Sequence, residues 1–468
     1  MKKVFVFCIG GTGLRVMKSI AMLMAGGMST NGYTVIPVII DPHLGLNERG
    51  NLNTLLDSYQ RVFNNTIQIP NGDGETLSPL QGFFNSPMLR LHQLDQRNSS
   101  YEDGSFGDEF KKYIETQNIG STDINNYLVK MLFSTKNLNN KLDEGFRGSP
   151  NVGTVVLGNM IEDSEWYKAF VRHCEQDDRA FIISSIFGGT GASGFPLMEK
   201  KIKQSSSETV NSLTLGAVSV LPYYGLRDPE KSNSNIDSQN FYTKTKAALS
   251  YYYDHTLSDY LYYAGETRLM AIYDNNEAEQ KDAANFVELS AATALFHFLE
   301  QPSNPEKQQY LSRCIAHDED SLGMDEMGAG FNTAVKSVAD LALLSKFIEI
   351  LPKEKFFPLK QNRGWTKDFY EDKSFGALKQ LTGLFENWYQ ELATNKRAFA
   401  PLRTGKGITE GWIDGMTLNA KDDSYYLLQM IKAGNKNVAN NHGNTFRHFM
   451  QTAYTAIDNY THKIKDVK

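Results

Sequence analysis

Apolar residues along this chain fall into two kinds of run. Val4–Ile9, Tyr33–Ile40, Ala180–Phe187 and Leu213–Leu221 are short, continuous and β-prone, with no polar alternation. Strands of that kind are buried on both faces, the condition of a parallel sheet covered by helices. Tyr260–Tyr263 and the β-branched Thr154–Leu157 read as two further short strands. Other stretches repeat apolar residues at helical spacing: Gly10 to about Met24, Asp163–Gln176, the stretch after Gly191 through Lys203, and Ser238–His255. Val4–Ile9, the helix after it and Tyr33–Ile40 therefore form a βαβ unit. Lys281–Gln301 is apolar on most sides, which predicts a helix buried all round at the centre of the molecule. Beyond Pro302 the pattern is mainly helical, with Lys336–Ile350, Phe375–Asn395 and Thr445–Ile464 the clearest pieces.

Between about 48 and 140 the periodicity weakens and Asn, Gln, Ser and Gly accumulate, which predicts an inserted, partly helical subregion. The expected organisation is an α/β domain over 1–280 containing that insertion, a central core helix over 281–301, and a mostly helical C-terminal domain over 302–468. A length of 468 residues requires more than one core. Hydrophobic residues at 41% and charged residues at 22% exclude overall disorder. The net charge of -6 and the lack of a basic block argue against nucleic acid as a partner. No apolar stretch reaches the roughly 20 residues of a membrane span. The opening MKKVFVFCIGG reads as a buried strand rather than a signal peptide, so the expected location is cytoplasmic. Cys8, Cys174 and Cys314 are far apart and read as reduced thiols, not as metal ligands.

Candidate chemistry lies at two identical turns. Gly10-Gly11-Thr12-Gly13 and Gly188-Gly189-Thr190-Gly191 each follow a buried strand and open a helix. Glycines let backbone N–H groups approach phosphate oxygens, and a helix N-terminus adds a favourable dipole. Thr12, Thr190 and Ser193 offer hydroxyl donors. On parallel strands of one sheet both turns would meet at its carboxyl edge, where open α/β sheets bind ligands. Each could instead serve only the geometry of a strand–helix junction. No GxxxxGK[ST] string occurs. Gly10 and Gly13 match two glycines of a dinucleotide fingerprint, with Cys8 in place of the first and Asp41 as a possible ribose acid. Gly191-Ala192-Ser193-Gly194 is a poor nucleophile elbow, its second glycine one place early, although His255, His297 and His317 are available bases.

Gly188-Gly189-Thr190-Gly191-Ala192-Ser193-Gly194 resembles the signature loop of the tubulin/FtsZ superfamily, a GGGTG run followed by Ser or Thr and Gly. Phe187 replaces the first glycine, and one extra residue precedes the last. Gly10–Gly13 is similar to that family's first phosphate loop, and Ile40-Asp41 to its second. Gly145, Gly148, Pro150, Asn151 and Gly153 resemble the third, with Arg147 a possible added charge. Leu221-Pro222-Tyr223 is similar to the turn that ends the strand after the signature helix. Ala283-Ala284-Asn285-Phe286 resembles the start of the central helix, whose Asn reads guanine; a helix cap is the other reading of Asn285. The likeness covers about residues 1–310, with 48–140 poorly matched.

The resemblance implies a Rossmann-like, tubulin/FtsZ-type GTPase domain that binds GTP or GDP, with Mg²⁺ on the phosphates. It further implies head-to-tail self-association, each subunit's nucleotide meeting an acid from the next. That family's Asn-x-Asp-x-x-acid pattern falls on Asn304-Pro305-Glu306-Lys307-Gln308-Gln309, so Asn304 and Glu306 are the catalytic candidates and Gln309 replaces the last acid. An amide orients water but cannot act as a base, so slow hydrolysis is expected. Asp318, Glu319 and Asp320, with Asp325 and Glu326, could substitute or could form a solvated loop. A non-hydrolysing scaffold and an NAD(P)-dependent oxidoreductase are the alternative readings.

Overall fold

Six parallel strands organise the chain. A computed structural model describes all residues except 43–46, 70–75, 98, 100, 102–108, 143–144, 147, 227–240, 267–270, 274–282, 316–321, 324–328, 354–363, 404–412, 415–417, 420–422, 436–442 and 462–468. The strands are β1 (Lys3–Ile9), β2 (Thr34–Ile40), β3 (Arg179–Ser185), β4 (Thr214–Val220), β5 (Tyr260–Glu266) and β6 (Gln309–Ile315). They lie in the order β2-β1-β3-β4-β5-β6, every neighbouring pair parallel. Val35 also makes a parallel bridge to Met88 on the outer side of β2. Counting that bridge as a short strand, the order across the sheet is 3-2-1-4-5-6-7, the doubly wound 3-2-1-4-5-6 with one more parallel strand at the far edge, an α/β Rossmann-like arrangement. The direction of connection reverses between β1 and β3. That gap is the switch point where such sheets hold ligands.

The continuous apolar runs explain the strands. Every position of β1, β3 and β4 is buried, as cover on both faces requires. The principal helices are α1 (Gly10–Ala25), α2 (Asn47–Ile67), α3 (Ile124–Leu132), α4 (Pro150–Asp163), α5 (Glu165–His173), α6 (Thr190–Lys203), α7 (Phe241–His255), α8 (Phe286–Glu300), α9 (Ala329–Ile350), α10 (Lys373–Thr394) and α11 (Thr445–Thr461). Helix α8 is buried on nearly every side and packs on α1, β4 and β5. Its last carbonyls are closed off by Arg179, which donates to Phe298 O, Gln301 O and Ser303 Oγ. A guanidinium there also complements the negative end of the helix dipole.

One expectation needs correction. Thr154–Leu157 is not a strand; it lies inside α4, which Pro150 opens. Val152, Val156, Leu157 and Ile161 are buried at helical spacing, so packing overrides their β propensity. Ahead of its helices, the chain beyond Pro302 supplies a strand that the pattern did not announce: β6 pairs with β5 and extends the sheet. Gln309, Tyr310 and Ser312 are exposed, so that edge strand carries no continuous apolar run to read. The partly helical 48–140 stretch opens on a 21-residue helix, α2. It packs on α10 and α11, with Ser58 Oγ donating to Gln380 Oε1.

Candidate functional site

The two GGTG turns meet at the switch point. Gly10 has φ +69, and a Cβ there would lie 3.3 Å from Thr190 Cβ and 3.5 Å from Gly191 N. Gly145 and Gly148 complete a third wall. A Cβ on Gly189 would lie 3.0 Å from Gly148 N, and one on Gly145 (φ +76) 4.0 Å from Thr190 Oγ1. Lys244 of α7 holds this wall by donating to Gly148 O at 2.8 Å. Gly10–Gly13, Gly145, Gly148 and Gly188–Gly191 are thus brought together. Asp41 lies buried at the end of neighbouring β2, its carbonyl accepting from Arg49 at 3.2 Å.

Three helix N-termini point into this junction, those of α1, α4 and α6. Their N-cap residues, Ile9, Ser149 and Gly189, make no side-chain cap, and none of the three has an acid in its first turn. Helices α5, α8 and α10 are capped by Ser164, Asn285 and Asp372. Uncapped first-turn N–H groups need a partner, and together with the dipoles they favour an anion. The chemistry on offer is neutralisation of phosphate-like oxygens by backbone donors.

Not every glycine is there for a ligand. A Cβ on Gly13 would sit 2.7 Å from the Cys8 carbonyl carbon, and one on Gly191 2.7 Å from both Ser185 N and O. Those two are demanded by close packing of turn on strand. Gly11 differs: its nearest neighbour would be Arg15 Nη1 at 3.6 Å, so the space in front of it is open. Gly188 lies close to Ser185, its added Cβ meeting that Oγ at 2.8 Å.

The hydroxyls divide. Thr12 Oγ1 accepts from Arg15 Nη2 at 3.4 Å, which leaves its own proton for a ligand. Ser193 is turned away: its Oγ donates to Gly189 O at 2.8 Å and lies in reach of Thr190 O at 3.1 Å. Among the described residues that bonding leaves Ser193 no base, since His255 meets Tyr251 O and His297 meets Tyr262 OH. Ala192 and Ser193 instead line a cleft of about 410 Å³ with Pro150, Thr154, Phe187 and Lys244. Asn151 is exposed and donates to Leu132 O at 3.1 Å and to Asn137 Oδ1 at 3.3 Å.

Asn285 caps α8. Its Oδ1 accepts from Val287 N at 2.9 Å, its Nδ2 donates to Tyr273 OH at 3.3 Å, and the residue is 2% exposed. Glu288 closes the reciprocal half of the capping box by accepting from Asn285 N at 3.1 Å. Asn395 shuts the site from the C-terminal side through Ala284 O and Tyr273 OH. Reading a base edge requires this cap to open.

A buried ionic cluster ties the cap to the first turn. Arg15 Nε donates to Glu288 Oε1 at 2.7 Å, and Tyr223 OH donates to the same oxygen at 2.6 Å. Arg15 also reaches Tyr223 OH at 3.0 Å and Glu48 at 3.4 Å. Burial drives the Tyr223 phenol well above its ordinary pKa, so it stays a proton donor. Sequence reasoning missed this cluster. The available signal was Arg15 and Glu288, each a charge set between apolar neighbours in a mostly apolar helix.

Asn304 and Glu306 lie far from all of this. Asn304 contacts Thr214, the first residue of β4, through its N and Oδ1 at 3.2 Å, and Gln309 N donates to Asp259 O. Both residues are exposed at the amino edge of the sheet. Seven-residue strands separate that edge from the glycine loops by about 20 Å. Arg147, His317, Asp318, Glu319, Asp320, Asp325 and Glu326 lie outside the described residues. Cys8 is buried, and Cys174 is a partly exposed free thiol pushed up to about 12 by burial. Among the described residues no helix is long and apolar enough to cross a membrane. No protein-family profile matches the chain, and no curated protein matches it in sequence.

Proposed function

We propose that the chain is a tubulin/FtsZ-like GTP-binding protein that self-associates head to tail and hydrolyses GTP slowly at the subunit interface. One observation carries the reading: three uncapped helix N-termini and three glycine loops converge at one switch point. That arrangement suits a polyphosphate with its Mg²⁺ better than a single carboxylate. The exposed Asn304 and Glu306 at the opposite edge fit the second half. A head-to-tail stack brings the amino edge of one copy onto the carboxyl edge of the next, and a contact of that kind that does not close yields a filament. Glu306 would then orient or deprotonate the attacking water in the neighbour's site.

A non-hydrolysing scaffold is the second reading. Gln309 favours it, since this residue is held in β6 and its amide donates to Lys307 O. The test is mass-spectrometric identification of nucleotide copurifying with the protein, followed by calorimetric titration with GTP, GDP, ATP, ADP and NAD. Guanine nucleotides winning supports the reading, and NAD winning overturns it. GTP bound without phosphate release selects the scaffold.

A further inference from the structure

Helix α3 presents its apolar side to solvent. Ile124, Tyr127, Leu128, Met131 and Leu132 recur at i, i+3, i+4, i+7 and i+8, one stripe of a helix. They are 51 to 83% exposed, and the helix has no buried residue. Val129 and Asn126, on the other side, face the protein. Monomeric proteins rarely expose contiguous apolar patches above a few hundred Å². Five large side chains in one stripe reach that scale and would form the apolar centre of an interface.

The position of α3 identifies what covers it. Its last carbonyl, Leu132 O, accepts from Asn151, and Asn137 Nδ2 donates to Ser149 Oγ at 2.9 Å. Helix α3 is therefore anchored at the third wall of the glycine-loop junction, on the carboxyl edge. Exposed Lys112, Lys130, Lys136 and Lys141 flank it and outnumber exposed Glu115 and Asp123. The amino edge has the complementary character. Exposed Glu175, Asp177, Glu208, Asp254, Glu300 and Glu306 outnumber Lys2, Arg172, Lys200 and Lys307 there, and Tyr253 and Tyr310 are exposed among them. We infer that the α3 stripe docks on the amino edge of a second copy of this chain. The inference rests on the head-to-tail reading and adds the element that sets its register. Apolar side chains would cover the two tyrosines while lysines meet carboxylates at the rim.

The test replaces Tyr127 in the full-length protein with p-benzoylphenylalanine and maps photo-cross-links by mass spectrometry. Cross-links into 253–259 or 300–310 of another copy are expected. Cross-links onto α3 of another copy would mean a face-to-face dimer and overturn the proposal. Sedimentation velocity on L128E/M131E, whose changed side chains are already exposed, should show assembly needing at least tenfold more protein. Wild-type assembly by that variant overturns the proposal. So does cosedimentation of the parent with phosphatidylglycerol vesicles that the variant loses, because the occupant is then a lipid surface. Calorimetry with GTP on the same proteins separates the two readings. GTP binding without stripe-dependent assembly sinks only the docking, whereas mapped cross-links without GTP binding sink only the nucleotide reading.

Discussion

Gly11→Ala separates a glycine kept for a ligand from one kept for packing. Gly11 is the second residue of α1, and an added Cβ would touch nothing closer than the flexible tip of Arg15 at 3.6 Å. The methyl is therefore accommodated in the folded chain. Replacing helical glycine by alanine removes unfolded-state freedom and is worth about 0.5–1 kcal/mol within a helix. Near the N-terminus we expect the lower end, about 0.5 kcal/mol, a rise of about 0.5–1 °C in melting temperature. The same methyl stands where a phosphate oxygen must come within about 3 Å of the backbone N–H groups. Affinity for GTP should fall at least about tenfold, or 1.4 kcal/mol. Stability and binding thus move in opposite directions, which a merely damaged protein cannot do. Differential scanning fluorimetry and calorimetric titration of parent and variant read the two effects. Tighter folding with unchanged GTP affinity would refute the claim that α1 receives phosphate. Gly191→Val cannot substitute, because its first side-chain carbon collides with the Ser185 backbone and lost binding would follow from lost structure.

Asn285→Ala should cost about 1 kcal/mol by uncapping α8, whereas Asn285→Asp keeps the oxygen that accepts from Val287 and costs less. If Asn285 also reads the base, the Asp variant loses preference for GTP over ATP; an unchanged ratio assigns the residue to capping alone. Glu306→Ala should lower GTP turnover by about 10²–10⁴-fold, with specific activity of the parent rising with protein concentration. Flat specific activity together with a silent Glu306→Ala would rule out a shared site. Glu199 is buried in α6 and accepts from Thr256 and Ser258, and desolvation raises its pKa above the usual carboxylate range. A carboxyl whose folded pKa is raised contributes stability below its unfolded value near 4.5 and loses it as pH rises through the folded value. Glu199→Gln should therefore gain on the parent in urea denaturation at pH 7 to 8, and the gain should shrink towards pH 4.5. A gain that grows on acidification contradicts the desolvation argument.

Local pattern was enough for the elements whose environment is uniform. Val4–Ile9, Tyr33–Ile40, Ala180–Phe187 and Leu213–Leu221 declared themselves as doubly buried strands because both faces of a parallel sheet demand apolar residues. Gly10–Gly13 and Gly188–Gly191 stood out because a strand that turns straight into a helix leaves little room for side chains. Lys281–Gln301 announced a central helix, and only its start moved, to Phe286, where the Asn285 cap ends the preceding loop. Tertiary structure decided whatever depends on a distant partner. Thr154–Leu157 is β-prone locally yet helical in the fold, since burial at helical spacing outweighs propensity. The strand at Gln309 exists because β5 offers an open edge, which no local signal in a half-exposed segment reveals. Arg15 and Glu288 are 273 residues apart and mean nothing until α1 and α8 pack together. Whether Ser193 faces a ligand or its own helix was settled by a single rotamer, chosen by a carbonyl four residues earlier.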